Sequence, residues 1–422
     1  MGRSGGADRG GGVRRRLLDP VGDRPRQRHA LDRARGRGPL PGDGGAGPAG
    51  RRRPRVLRGP AVTSGLPLLG QRALNRALLE RQLLLRRAEV GVPDAVAHLV
   101  AVQAQVPDAP YPGLWSRVAG FDPHDLGRRV AELSLVRMPS LRATMHLVTP
   151  DDALALPPLV KPLHERVFRA SEYGRGLAGL DLADVVAAGL ERLRERPMMA
   201  TELGRELAVR WPGREPVHLG AAVVYGAPLL QVPPRGVWGR TGRARLAEVG
   251  ATLGRPIATD ASPDRLVLRY LRAFGPAGTA DVRTFTGLGG IREVVDRLDL
   301  RRFTDERGRT LYDVPDGPLP DLDTPAPPRF LGEFDNALLG HDDRTRILAA
   351  EHRSRVLFKP VRPLLVDGMA AGMWTSGPDG LVVRPLAPLS DAAAAEVVAE
   401  GERMLDALWP DAERAVRFEA PA

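Results

Sequence analysis

The sequence predicts an α+β chain: three tandem units of helices, each closed by a β-hairpin, then a small β-barrel and a C-terminal helix. Three observations carry this. Helical apolar stripes recur in groups, and each group ends in two short strands around a turn. Beyond residue 325 the pattern becomes short apolar strands separated by Asp367-Gly368 and Asp379-Gly380, and Asp-Gly is among the strongest short hairpin signals. The texture also breaks at Leu68, upstream of which no apolar period exists. The expected divisions are a tail (1–67), three units (68–170, 171–258 and 259–325) and a barrel-like domain with its closing helix (326–422).

The tail is Arg, Gly and Pro in a segment too poor in apolar residues to offset its chain entropy, so disorder is expected there. It holds sixteen arginines against five aspartates, an excess of eleven that equals the net charge of the whole chain. The remaining 46 basic and 46 acidic residues cancel. The pI of about 10.8 therefore belongs to the tail, and any DNA-binding face of the body must come from local clustering. There are no cysteines, and the eight histidines show no HxxxH or HExxH spacing. Disulfides, a thiolate nucleophile and a zinc site are disfavoured, and no cofactor is expected. No apolar run approaches the eighteen or so residues that span a bilayer, and residues 1–30 lack a signal-peptide core. A cytoplasmic protein with no membrane partner is the expectation.

In the first unit, Leu74, Leu78 and Leu85 mark a helix over 72–87. Pro93 and Asp94 open a second, whose stripe is Ala95, Val96, Leu99, Val100 and Val102 and which runs to 105 before Pro107 stops it. A segment over 111–118 carries Trp115 and Arg117, and after another short helix the strands 135–138 and 141–148 turn at Pro139-Ser140. The second unit opens at Asp181 as N-cap. Thr201 is placed as the next cap, 216–225 is a candidate recognition helix, and strands 229–232 and 237–240 turn at Pro233-Pro234-Arg235-Gly236. The third starts at Ser262-Pro263, continues with Thr279-Ala280-Asp281 capping a short helix, turns at Gly287 to Gly290 into 291–298, and ends in a hairpin over 301–314. Three helices followed by a hairpin make a winged helix, a DNA-reading variant of the helix-turn-helix. Strands are then expected over 356–359, 363–366, 369–374 and 381–385, and a final helix capped at Ser390.

The motif around which the rest is organised is Gln103-Ala104-Gln105, expected at the end of the second helix. Residues two apart in a continuous helix diverge by about 200°, so Gln103 and Gln105 converge on one point only if the helix ends between them. Their amides can donate and accept hydrogen bonds but cannot take a proton at neutral pH. They could position a water, or steady a developing positive charge through their carbonyl oxygens. A solvent-facing helix end is the plainer alternative. On the hairpin of the first unit, Arg142, Thr144 and His146 alternate onto one strand face, a polar and basic face suited to phosphate; an ordinary solvated face is the alternative there.

Four stretches resemble the AlkZ-type DNA glycosylases: 74–84 (LNRALLERQLL), Gln103-Ala104-Gln105, Trp115-Ser116-Arg117 and Arg142-Ala143-Thr144-Met145-His146. Residues 330–344, from Phe330 through Glu333, Asp335 and Asn336 to Arg344, resemble the approach to that family's C-terminal barrel. The resemblance runs from about Leu68 to the C-terminus. It implies three winged helices and a barrel in a C-shape around double-stranded DNA, and excision of N-alkylated purines, including interstrand crosslinks. It also places Gln103 and Gln105 at the catalytic site, in a Gln-x-Gln branch whose sister branch has Gln-x-Asp. Arg142, Thr144 and His146 would hold DNA near the lesion, Trp115 and Arg117 would support or line the pocket, and Asp108 is a spare general base. A cationic purine leaves without protonation, so two neutral amides suit the chemistry. The expected protein is a monomeric, nucleoid-associated hydrolase. A non-catalytic winged-helix regulator that reads sequence, or a scaffold that has lost both functions, would share the fold.

Overall fold

The computed structural model describes residues 65–357 and 359–421. Nearly all of the arginine-rich tail, with its expected disorder, lies outside the described residues.

In the first unit, helix Gln71–Arg81 buries Leu74, Leu78 and Leu79. Helix Val92–His98 carries proline in its first turn as expected, but it stops well short of residue 105. Val100 turns left-handed there, at φ +68°, and the chain leaves extended as strand Val102–Gln103. Helices Pro110–Trp115 and Pro123–Ala131 follow. Strands Val136–Pro139 and Met145–Val148 then pair antiparallel, with Met138 opposite His146. A one-turn 3₁₀ segment, Leu141–Ala143, joins them, so Arg142 sits in the turn and not on the strand face expected of it.

Helix Pro150–Ala170 has no counterpart in the expected elements. It contains three internal prolines, and its N-terminus is capped by Thr149, whose hydroxyl accepts from the Asp152 backbone N–H at 3.2 Å. In the second unit, Asp181 caps helix Leu182–Glu195 by accepting from the Ala183 N–H at 2.8 Å. Thr201 lies inside helix Ala200–Ala208; the cap position is Met199, whose N–H is taken by Glu202 at 3.1 Å. The expected recognition helix, Pro216–Gly226, buries Leu219 through Val224. A helix apolar nearly all round belongs in a core, so this one is a packing helix. The partner of strand Leu229–Gln231 is Arg245–Glu248, not 237–240.

Those two hairpins do not stand as separate wings. Arg137 pairs with Gln231 across them, giving one six-stranded sheet with Val102–Gln103 at one edge and Met198–Met199 at the other. Arg137 fastens the seam, donating to Gln231 Oε1 at 2.9 Å and the Ala104 carbonyl at 2.8 Å.

The third unit follows expectation closely, except that Gly278 and not Thr279 holds the N-cap position of its second helix, where Asp281 accepts from the Gly278 N–H at 2.9 Å. Helices Pro263–Phe274, Thr279–Thr286 and Ile291–Arg297 precede the hairpin of Arg301–Asp305 and Thr310–Asp313. Gly287 and Gly290 both take positive φ in the turn between the last two helices, where glycine has no steric cost. Ser262 occupies its N-cap position without a side-chain cap bond. Strand Leu68–Leu69 lies parallel to Arg301–Asp305, so the start of the first unit completes the sheet of the third.

The C-terminal region is a five-stranded open sheet among the described residues, ordered Arg329–Phe330, Arg362–Val366, Met369–Gly377, Gly380–Pro385 and Val416–Phe418. It does not close, which corrects the barrel expectation. Val356 belongs to a short helix, Arg353–Val356, in place of the strand expected there. Helix Asp391–Leu408 is capped as expected by Ser390, which accepts from Ala393 N–H. One core joins the first and third units to this sheet through Leu78, Met138, Phe274, Phe285, Leu348 and Leu365, while the second unit packs a core of its own around Leu203, Leu219 and Val223. No helix among the described residues is long and apolar enough to cross a membrane.

Candidate active site

The left-handed turn at Val100 places Gln103 on a sheet edge, where it pairs with His146 across an antiparallel ladder. Ala104 N–H donates to the Met145 carbonyl at 2.9 Å. Gln105 turns its side chain back onto the same strand, and its Oε1 accepts from the Met145 N–H at 3.1 Å. The two glutamines thus grip one partner strand, and it is the strand that brings them together rather than a helix end.

Gln103 is 5 % exposed. Its Oε1 accepts from Arg142 Nη2 at 3.0 Å and from Thr144 Oγ1 at 3.4 Å. Arginine has donors only, so the amide orientation is fixed: the carbonyl is spent on protein, and the NH₂ is the group left to a ligand. Of the two roles expected for the amides, this geometry leaves the Gln103 NH₂ open for holding a water.

Arg142 is the hub. Nη2 also donates to Asn336 Oδ1 at 2.7 Å, and His146 Nε2 lies 3.2 Å from it. The Thr144 carbonyl can only accept, so the imidazole proton sits on Nδ1, which donates to it at 3.0 Å. Burial, then the adjacent Arg142 charge, pushes the His146 pKa well below its ordinary value, so the ring is neutral. The pKa of Arg142 is lowered to about 10, by burial first and by the Arg344 charge second. No carboxylate pairs with Arg142 among the described residues, and its buried Nη1 makes no hydrogen bond. Arg142 and Ala143 both have positive φ, +56° and +55°. Two adjacent non-glycine residues in that region store roughly 1–3 kcal/mol each, a strain that clusters at functional sites.

Asn336 was missed by sequence reasoning as a site residue. It is 6 % exposed and bridges the Arg142 guanidinium and the Ala101 carbonyl, the latter at 2.7 Å. Asp335 N-caps its short helix and forms a two-bond ion pair with Arg117 at 2.7 and 2.9 Å. Arg117 reaches on to Gln82 Oε1 at 3.4 Å. Trp115 is buried, with the Arg87 guanidinium 4.1 Å above its ring. Trp115 and Arg117 are thus both buried, with their side chains engaged by other residues of the protein. Asp108 is exposed and lies beside Tyr111 and Arg137, away from this network.

Gln103, Asn336, Asp335, Glu333, Gln82 and Arg117 line a recess of about 10 Å³, roughly the room of one water. No group of three metal-ligating carboxylates or histidines occurs among the described residues.

The family described as "DNA glycosylase AlkZ-like" matches residues 96–407. An interstrand DNA cross-link repair glycosylase from Streptomyces sahachiroi is 27% identical over 336 residues, covering 73% of this chain and 88% of that protein. The solved structure of Streptomyces sahachiroi DNA glycosylase AlkZ superposes with a TM-score of 0.69 at 22% identity, covering 83% of this chain and 99% of that one, a likeness of fold. With the family match spanning most of the body and both glutamines, the chain belongs to the AlkZ-like DNA glycosylases.

Proposed function

We propose that the protein is a monomeric, monofunctional glycosylase that hydrolyses the N-glycosidic bond of cationic N-alkylated purines in cytoplasmic duplex DNA, interstrand crosslinks included. The observation that carries this reading is the buried Gln103 amide, held in one orientation at a water-sized recess. A purine alkylated at N7 or N3 already bears positive charge, so it departs neutral, taking the bonding electrons, without a proton from the enzyme. What remains is to place water against an oxocarbenium-like sugar, and preorganised amide dipoles do this. Gln103 supplies the donor, Gln105 fixes the strand beneath it, and Arg142 and Thr144 hold the Gln103 carbonyl, with the neutral His146 ring packed beside the Arg142 guanidinium. A lyase step would need an amine nucleophile. The chain has two lysines, Lys161 and Lys359; neither lines the recess, and Lys161 is exposed beside Glu165. Crosslinks join the substrates because the Streptomyces sahachiroi relative is an interstrand DNA cross-link repair glycosylase.

The test is duplex DNA with one N7-methylguanine, read by alkaline strand cleavage. The wild type should excise well above spontaneous depurination. Gln103→Ala and Gln105→Ala should each slow excision about 10-fold or more, since losing a preorganised dipole costs roughly 1.4–4 kcal/mol, while binding changes far less. A wild type inert toward both methylated and bulkier cationic purines would point instead to a non-catalytic DNA-binding protein.

A further inference from the structure

We propose that Glu333 is the site's general base, taking the proton of the attacking water that Gln103 holds. The inference rests on the glycosylase reading and adds a residue to it.

A neutral amide can orient a water but cannot deprotonate it. The Gln103 carbonyl is taken by Arg142 and Thr144, so Gln103 offers N–H to the oxygen of a water. That water still needs an acceptor for its own hydrogen. Glu333 lines the same one-water recess. It is 9 % exposed, and its Oε1 accepts from Arg362 Nε at 2.9 Å. Its Oε2 is buried and has no hydrogen-bond partner. A buried carboxylate oxygen left unpaired is unfavourable, and such groups persist where a ligand completes them.

The surroundings keep that carboxylate in place. Arg362 is itself held by Ser376 Oγ at 3.1 Å and lies 4.9 Å over the Trp374 ring. The segment carrying Glu333 is fastened on both sides: Ser116 Oγ donates to the Phe330 carbonyl at 2.7 Å, and Trp374 Nε1 to the Leu331 carbonyl at 3.0 Å. Gly332 permits the closest approach, for a Cβ there would fall 2.1 Å from the Ala109 carbonyl oxygen. The chain beside Glu333 is thereby seated against the loop that follows the glutamine motif.

In the step, the C1′–N9 bond breaks and its electron pair leaves with the purine, which becomes neutral. The water oxygen bonds to C1′, one water proton passes to Glu333 Oε2, and that proton is then lost to solvent. The products are free base and an abasic sugar.

Glu333→Gln keeps the shape and removes the base. Single-turnover excision of N7-methylguanine should fall about 100-fold, the scale of a lost general base, with lesion-DNA affinity unchanged. Glu333→Ala should be equally slow, and added formate should restore much of its rate, a rescue that a merely structural residue would not show. Glu333→Gln excising within threefold of wild type overturns the proposal. So does a slow Glu333→Ala that formate leaves slow. If wild type excises nothing, the glycosylase reading falls and this inference with it. If Gln103→Ala is slow while Glu333→Gln is not, only the inference falls.

Discussion

Protonating His146 would place a second positive charge 3.2 Å from the Arg142 guanidinium. His146, His164 and His341 are all buried, and burial is the largest cause lowering each pKa. In the denatured chain each titrates near 6.5. From about pH 6.5 down to the folded values, the denatured state binds protons that the native state does not. Stability should therefore be full above pH 6.5 and fall below it, by up to about 1.4 kcal/mol per pH unit for each histidine. Urea midpoints at pH 7.5 and 5.5 read this directly, and His146→Gln should flatten the difference. Equal midpoints for the wild type would sink the argument. At this scale the sequence displayed Gln103 with Gln105, and Arg142, Thr144 and His146, as two short motifs, with Gln103 and Arg142 39 residues apart. It hid the role of Asn336, whose partners Arg142 and Ala101 lie 194 and 235 residues away. No periodicity encodes pairings of that span.

Helices Ala200–Ala208 and Pro216–Gly226 meet backbone to backbone. A Cβ on Gly220 would fall 2.2 Å from the Ala200 carbonyl oxygen, and one on Gly204 only 1.9 Å from that of Pro216. Both neighbours are main chain and cannot step aside. Gly220→Ala should lower unfolding stability by about 1–3 kcal/mol through overpacking, while Gly289→Ala, with nothing within 4 Å, should change it little; thermal melts distinguish them. Elements with clean local signals were legible: the Asp181 and Ser390 caps, the glycine turn at 287–290 and the hairpin of the third unit. Two were not. Val237 and Trp238 imitate a strand, yet Trp238 packs on Tyr111 with ring centroids 4.5 Å apart. Helix Pro150–Ala170 hides behind its prolines, which read as breakers although tertiary packing holds the helix through them. The joining of two hairpins into one sheet was likewise invisible, because strand neighbours are set by tertiary packing and not by local pattern.

Across the whole molecule, the charge balance separates two kinds of DNA affinity. Removing residues 1–64 deletes the net excess of eleven and leaves the body neutral. Nonspecific affinity should fall, and its salt dependence should become shallower by about 0.9 in log–log slope for each phosphate no longer neutralised. Binding titrations at several salt concentrations test this, and an unchanged slope would show that the body alone neutralises the phosphates. The first helix, Gln71–Arg81, has a different debt to the rest of the chain. Gln71 bonds Thr345, Asn75 the Arg346 carbonyl, Arg76 the Asp367 carboxylate, and Arg81 the buried Asp313, partners between 232 and 291 residues downstream. During synthesis at roughly 5–20 residues per second, those partners emerge about 12–60 s after the helix does. The buried cation Arg81 has no counter-charge until then. Full seating of this helix is consequently a late event in biogenesis, and a ribosome that stalls short of Asp313 leaves a nascent chain in which Arg81 lacks its buried ion-pair partner.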